Sequence, residues 1–292
     1  MEPSDRYPDC SMRVITENQS FPESAQRSVL VPTMGALHEG HIALVRRAVE
    51  VAKERDLCAG CTVSIFVNPT QFDVAADYDR YARVLQDDIK KCAQAGASTV
   101  FAPSTGAVYP PDEPQVHRPM PDSAIGKGLE DAHRPGHFEG VCQVVRRLFE
   151  LAKPAAAIFG EKDWQQYTVV RAMAAEDRSG IDVIASATVR ESDGLAMSSR
   201  NRFLPESRRE QALSLNRALK AAQLETTPEA AEASMLAVFR HHGIGTPDYA
   251  VVRDAQTLGP YQPGRPGRVI VAAVIEAEPT AVRLLDNAAW PG

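Results

Sequence analysis

The chain has 292 residues, 44% hydrophobic and 24% charged, with 32 Lys and Arg against 38 Asp and Glu for a formal charge of −6. That length predicts about two domains with a sizeable core, and the acidic balance argues against a sequence-independent nucleic-acid binder. The sequence holds no apolar run as long as a membrane-spanning helix, and its opening MEPSDRYPDC has neither the basic start nor the apolar stretch of a secretory signal.

Residues 28–31 read as a buried strand. A Gly-containing loop follows, then Ile42, Leu44, Val45, Ala48, Val49 and Ala52 at helical spacing. A second buried strand covers 62–67 and stops at Asn68-Pro69. Residues 81–95 suit a charged surface helix closed by Gly96, and 99–101 a short third strand. The proline-rich stretch 109–121 reads as a long surface loop. Then come an amphipathic helix over 137–153, a strand at 156–159, a helix at 164–175 and a strand at 182–189. This alternation predicts an α/β fold, a Rossmann-like doubly wound parallel sheet whose ligands lie at the carboxyl ends of the strands. After residue 189 the pattern changes to helices at 206–224 and 228–241 and strand-like runs at 249–252, 269–275 and 282–285, a smaller C-terminal α+β domain. The expected domains are therefore 1–188 and 189–292, with a hinge near 189–194. Five cysteines, Cys10, Cys58, Cys61, Cys92 and Cys142, fit reduced thiols, and no second ligand pair complements Cys58 and Cys61 for zinc.

Four strand-to-helix loops carry chemistry. PTMGALHEGH at 32–41 places His38 and His41 at a helix N-terminus, where free N–H groups suit phosphate and Gly35 and Gly40 let backbone approach a ligand. FVNPTQF at 66–72 offers amides for the hydroxyls and carboxylate of a small polar substrate. GEKDWQQ at 160–166 adds the compact cation of Lys162 and the uncharged Gln166. The segment 197–201 adds Ser198, Ser199 and Arg200, a set suited to a triphosphate. Any one of these would pass as a solvated turn. Four on one edge of one sheet predict a site for a phosphorylated ligand and a small polar one.

These motifs, with VRESDGLAMSSRN at 189–201 and RLLDN at 283–287, resemble those of the pantoate–β-alanine ligase family, nucleotidyltransferases with HIGH- and KMSKS-type signatures. The resemblance spans about Val29 to Asn287. It implies ATP-dependent condensation of (R)-pantoate with β-alanine through a pantoyl adenylate, releasing AMP and pyrophosphate. It implies ATP contacts from Met34, Gly35, Ala36, Leu37, His38, Glu39, Gly40 and His41, from Gly160, Glu161, Lys162 and Asp163, and from Val189, Met197, Ser198, Ser199 and Arg200. His38, His41, Lys162 and Arg200 would be catalytic, with His41 the proton donor; Gln71, Gln166, Asn68 and Tyr81 would line the substrate pocket; Asp87 and Asp88 would bind Mg²⁺. Glu130 and Arg134 match family positions near the site, whereas His133 and His137 read as structural. Where the family reads YPRT this chain has Tyr81-Ala82-Arg83-Val84, so the following helix loses a Thr cap and a first-turn Pro. The partners implied are ATP, pantoate and β-alanine, with no nucleic acid and no membrane, in a cytoplasmic homodimer. Two other readings compete. Another HIGH-type nucleotidyltransferase would want an extra basic subsite for its phosphorylated substrate. A non-enzymatic nucleotide-sensing paralogue predicts loss of His38, His41, Lys162 or Arg200, and all four are present.

Overall fold

The apolar runs of the first two thirds become parallel strands because they are buried on both faces. In a computed structural model, which describes residues 12–17, 21–72, 78, 81–112, 118–277 and 281–291, they are β1 (Arg13–Glu17), β2 (Val29–Thr33), β3 (Cys61–Ile65), β4 (Thr99–Pro103), β5 (Ala156–Gly160) and β6 (Asp182–Ser186). Cys10 and residues 113–117 of the proline-rich stretch lie outside the described residues. The sheet order is β1-β4-β3-β2-β5-β6. The chain thus builds outward from β2 in one direction and returns to its other side with β5, so the order reverses between β2 and β5. Pairing there covers only Val29 with Ala156 and Leu30 with Ala157, whereas β2 pairs with β3 over its whole length. Pro32 lacks the N–H that a strand paired on both sides needs, and the β2–β5 pairing stops short of it. The two strands therefore part toward their carboxyl ends, where ligands of such sheets bind.

The helices of this layer are α1 (Glu39–Glu54), α2 (Leu85–Gln94), α3 (Thr105–Val108), α4 (Glu130–His133), α5 (His137–Ala152) and α6 (Trp164–Glu176). The C-terminal part carries α7 (Arg209–Ala222) and α8 (Pro228–His241), then an antiparallel sheet of β7 (Tyr249–Asp254), β8 (Gly267–Ile275) and β9 (Val282–Trp290) in that order. One face of this sheet packs Val269, Val271 and Leu284 against Leu215, Leu219, Met235 and Phe239 of α7 and α8. The other face packs Ile270, Ala272 and Tyr249 against Leu129 and Trp164 of the parallel-sheet layer. Both faces being covered, the second sheet is seated on the first. No helix among the described residues is long and apolar enough to cross a membrane.

The structure differs from expectation in three places. β1, which the sequence reading left out, pairs with β4 at the sheet edge. The 81–95 helix begins only at Leu85, with Val84 at its N-cap giving no side-chain bond, as the missing Thr would lead one to expect. The last strand runs on through Asp286 and Asn287 to Trp290, because both polar residues find partners inside the protein. Cys58 is exposed in a turn, and Cys61 is buried in β3, where burial pushes its thiol up.

Candidate active site

The first loop leaves β2 through Thr33, whose hydroxyl donates to the Ser64 carbonyl at 2.7 Å and accepts from the Gly35 amide at 3.2 Å. Gly35 (φ +84°) and Ala36 (φ +52°) then turn left-handed. A Cβ at Gly35 would stand 3.0 Å from both Asp88 Oδ2 and Ile65 Cγ2, so glycine is required for conformation and for space. The Ala36 and Leu37 amides each donate to one Asp88 oxygen at 2.8 Å, and Lys91 Nζ donates to the Leu37 carbonyl at 2.6 Å. Tyr81 reaches the Gly35 carbonyl at 3.4 Å. Helix α2 therefore braces the loop from behind.

His38 caps α1: its Nδ1 accepts from the Gly40 amide at 3.1 Å, and His41 Nδ1 accepts from the His38 amide at 3.3 Å. With both Nδ1 atoms accepting, the neutral rings carry their protons on Nε2. The rings lie 4.0 Å apart. Burial, then the neighbouring His38, pushes His41 down to about 3; burial and the Lys162 charge also lower His38. At neutral pH His41 is thus a hydrogen-bond donor held beside cations, not the imidazolium that a proton-donor role requires. Its unfolded value of 6.5 lies above its folded value of about 3, so between those limits the unfolded chain binds more protons and stability falls as pH falls. In His41→Gln, melting temperature measured from pH 7 to pH 4 should decline less steeply than in the parent; an unchanged slope would refute the buried neutral ring.

The second loop turns on Asn68, 1% exposed. Its Nδ2 donates to Gln71 Oε1 and to the Gly140 carbonyl, both at 3.1 Å, and its Oδ1 accepts from Thr70 and from the Tyr109 hydroxyl at 2.9 Å. Asn68 is thereby occupied within the protein, orienting Gln71 from behind. A Cβ at Gly140 would lie 2.4 Å from the Thr70 carbonyl, so this loop rests directly on α5. Arg134 and His137 approach the Gln71 carbonyl at 3.4 and 3.1 Å. Glu130 is held below the usual carboxylate range because Arg283 and Tyr249 outweigh the burial that raises it. Gln165 supports Glu130 through its amide at 2.9 Å, while the next residue, Gln166, is half-buried.

The third and fourth loops close the crevice. Lys162 Nζ lies 3.4 Å from Asp163 Oδ1. Burial raises the Asp163 carboxyl, but Lys162 and Arg200 outweigh it and hold the group charged. Val189 accepts from the Met197 amide at 2.9 Å, Ser198 caps a 3-10 turn over Ser199–Phe203, and Asn201 donates to Glu191 at 2.6 Å. Lys162, Ser198 and Asp286 line one small cleft. A Cβ at Gly40 would lie 3.5 Å from Met197 Cβ, so the first and fourth loops lie against each other there. An open hollow bounded by Arg171, Arg178 and Asp182 lies at the amino end of β6, away from these loops.

Of the expected phosphate-binding residues, His38 lies near Lys162 and Gly40 against Met197, whereas the two carboxylates expected for magnesium point apart. Asp88 is fully buried with each oxygen on a backbone amide, whereas Asp87 is exposed and faces Lys90 at 3.5 Å. No cluster of three or more His, Cys, Asp or Glu suited to a metal occurs among the described residues. Sequence reasoning missed Lys91 and Arg268, and it met Asn287 only as the end of RLLDN, without a role. The signal for the last was a polar pair, Asp286-Asn287, set in an apolar strand.

A family model described as pantoate-beta-alanine ligase matches residues 10–289. The chain is 46% identical over 268 residues to a pantothenate synthetase of Nocardioides sp., covering 88% of this chain and 77% of that protein. It is 44% identical to the Myxococcus xanthus pantothenate synthetase, covering 89% and 88%. Among solved structures, the Thermus thermophilus pantothenate synthetase superposes with a TM-score of 0.80 at 36% identity, covering 96% of this chain and all of that one. A Francisella tularensis pantoate-beta-alanine ligase complexed with beta-gamma ATP and beta-alanine superposes with a TM-score of 0.69 at 29% identity, covering 96% and 98%.

Proposed function

The chain belongs to the pantoate–β-alanine ligase family and is an ATP-dependent carbon–nitrogen ligase, and we propose that it joins pantoate to β-alanine through a pantoyl adenylate formed in the crevice between β2 and β5. A pantoate carboxylate oxygen attacks the α-phosphorus of ATP. The bond from that phosphorus to the bridging oxygen breaks, and its electrons leave with pyrophosphate. The β-alanine amine then attacks the acyl carbon, AMP departs, and the amine proton passes to solvent. Bringing two anions together is the difficulty, and positioning plus charge neutralisation is what the loops supply.

In this assignment Met34–His41, Gly160–Asp163, Val189 and Met197–Arg200 hold ATP. His38 and His41 donate from Nε2 to phosphate oxygens, and Lys162 and Arg200 neutralise the charge growing on pyrophosphate. Gln71 and Gln166 bind pantoate, while Asn68 and Tyr81 support the two loops from behind. Residues 1–188 form the ATP- and pantoate-binding domain and residues 189–292 the lid, in a cytoplasmic homodimer. Mg²⁺, when bound, would be held chiefly by the nucleotide's phosphates and would neutralise part of their charge. Asp88, already bonded to two amides, and the divergent Asp87 do not fit a paired carboxylate site, so no step is assigned to them through the metal.

The observation that carries this reading is the approach of the His38–His41 cap to Lys162 and of Gly40 to Met197, on loops that leave the sheet at its point of reversal. Labelled pyrophosphate should exchange into ATP when pantoate is present and β-alanine absent. Exchange indifferent to pantoate, or none in folded protein that binds ATP, would assign the site to another substrate.

A further inference from the structure

Strand β9 carries Asp286 and Asn287 side by side, each 2% exposed. Buried polar side chains need partners, and neighbours along a strand point to opposite faces. Each finds a partner in the ATP loops as well as in its own sheet. Asn287 Nδ2 donates to the Glu161 carbonyl at 2.9 Å and to the Lys162 carbonyl at 2.8 Å. Its Oδ1 accepts from Arg268 Nε at 2.7 Å. Arg268 is a donor only, so the Asn287 amide has one orientation, with both N–H bonds facing the loop.

Arg268 is fixed in turn. It pairs with Ala289 across the β8–β9 ladder and so sits diagonally from Asn287 on one face. Its NH2 lies 3.0 Å from Glu161 Oε2, and its guanidinium stacks 3.7 Å from the centre of the Trp164 ring. One Asn–Arg pair thus grips the main chain and flanks of the turn that carries Lys162. The Lys162 ammonium has a 3.4 Å contact with Asp163, so the aim of its flexible stem is set by where the main chain is held. On the other face Asp286 takes Arg190 in a two-point pair at 2.6 and 3.0 Å, and Arg190 also holds the Gly194 carbonyl at the base of the fourth loop.

We propose that Asn287, backed by Arg268, is a positioning residue that aims Lys162 at the ATP phosphates, so that β9 ties the two ATP loops to the seating of the C-terminal sheet. The inference rests on the ligase reading above. Its test is pantoate-dependent pyrophosphate exchange in the parent, Asn287→Ala, Lys162→Ala and the double variant, with melting temperature followed alongside. A displacement of about 1 Å costs on the order of 100-fold in rate; Asn287→Ala should lose about 10- to 100-fold in the exchange rate with pantoate KM within about twofold, because the Gln71 loop is held separately. In the Lys162→Ala background the same change should add little further loss, since the group being aimed is gone. Parent-like exchange in Asn287→Ala, losses that multiply in the double variant, or an effect confined to pantoate KM would each overturn the proposal. Should Asn287→Ala fail to fold, Arg268→Lys, which keeps a cation but loses the fork that orients Asn287, is expected to slow exchange in the same way; a parent-like rate there overturns it too. Absence of exchange in the parent would instead overturn the ligase reading itself.

Discussion

Replacing Lys162 with alanine is expected to slow adenylate formation about a thousand-fold while leaving the fold in place. A unit charge about 4 Å from the charge developing on pyrophosphate, at an effective dielectric of about 20, stabilises it by roughly 4 kcal/mol. At 1.36 kcal/mol per decade, that is about three decades of rate. The side chain is only partly buried and makes no strong ion pair, so melting temperature should move little. Single-turnover formation of pantoyl adenylate by rapid quench is the measurement, and a rate within tenfold of the parent would remove Lys162 from the phosphate site.

The second large effect belongs to Asp88. Asp88→Asn keeps the shape but turns an amide NH2 toward one of the two backbone N–H groups that the carboxylate now accepts. A buried donor without a partner costs about 1–3 kcal/mol. In a chain of this size each kcal/mol lowers the melting temperature by about 2–4 °C. The loop that loosens is the one that carries His38 and His41, so kcat/KM for ATP should fall about 100-fold, as misplacement of a reacting partner does. The decisive readout is magnesium. If Asp88 acts by holding the Ala36 and Leu37 amides, raising Mg²⁺ leaves the variant's defect unchanged; recovery at high Mg²⁺ would return Asp88 to the role of metal ligand that the resemblance implied.

The contrast between Asp87 and Asp88 shows where legibility ended. Two adjacent acids on a charged helix read as a pair, because sequence spacing does not tell which face of α2 meets the first loop. In the fold they sit about 100° apart around the helix, one toward solvent and one buried against Gly35 and Ala36. Asn68 carries the same lesson. An amide after a strand reads as a substrate contact, yet its bonds to Gln71, Gly140, Thr70 and Tyr109 leave it holding the loop. His41 was legible as a site residue but not in its protonation, since burial beside His38 and Lys162 is a property of assembled neighbours.

The sequence by itself determined the parallel sheet, the change of pattern near residue 189, and the four loops with His38, His41, Lys162 and Arg200, because strand-length apolar runs and the turn and phosphate chemistry between them are local. Only the tertiary structure decided which residues aim those loops: Asp88 and Lys91 from α2, Arg134 at the end of α4 and His137 from α5, and Arg268, Asp286 and Asn287 from the second sheet. Apart from the Arg268–Asn287 bond within the second sheet, those contacts join residues about 50 to more than 100 positions apart, and buried polar groups choose their partners only after hydrophobic packing has brought the two sheets together.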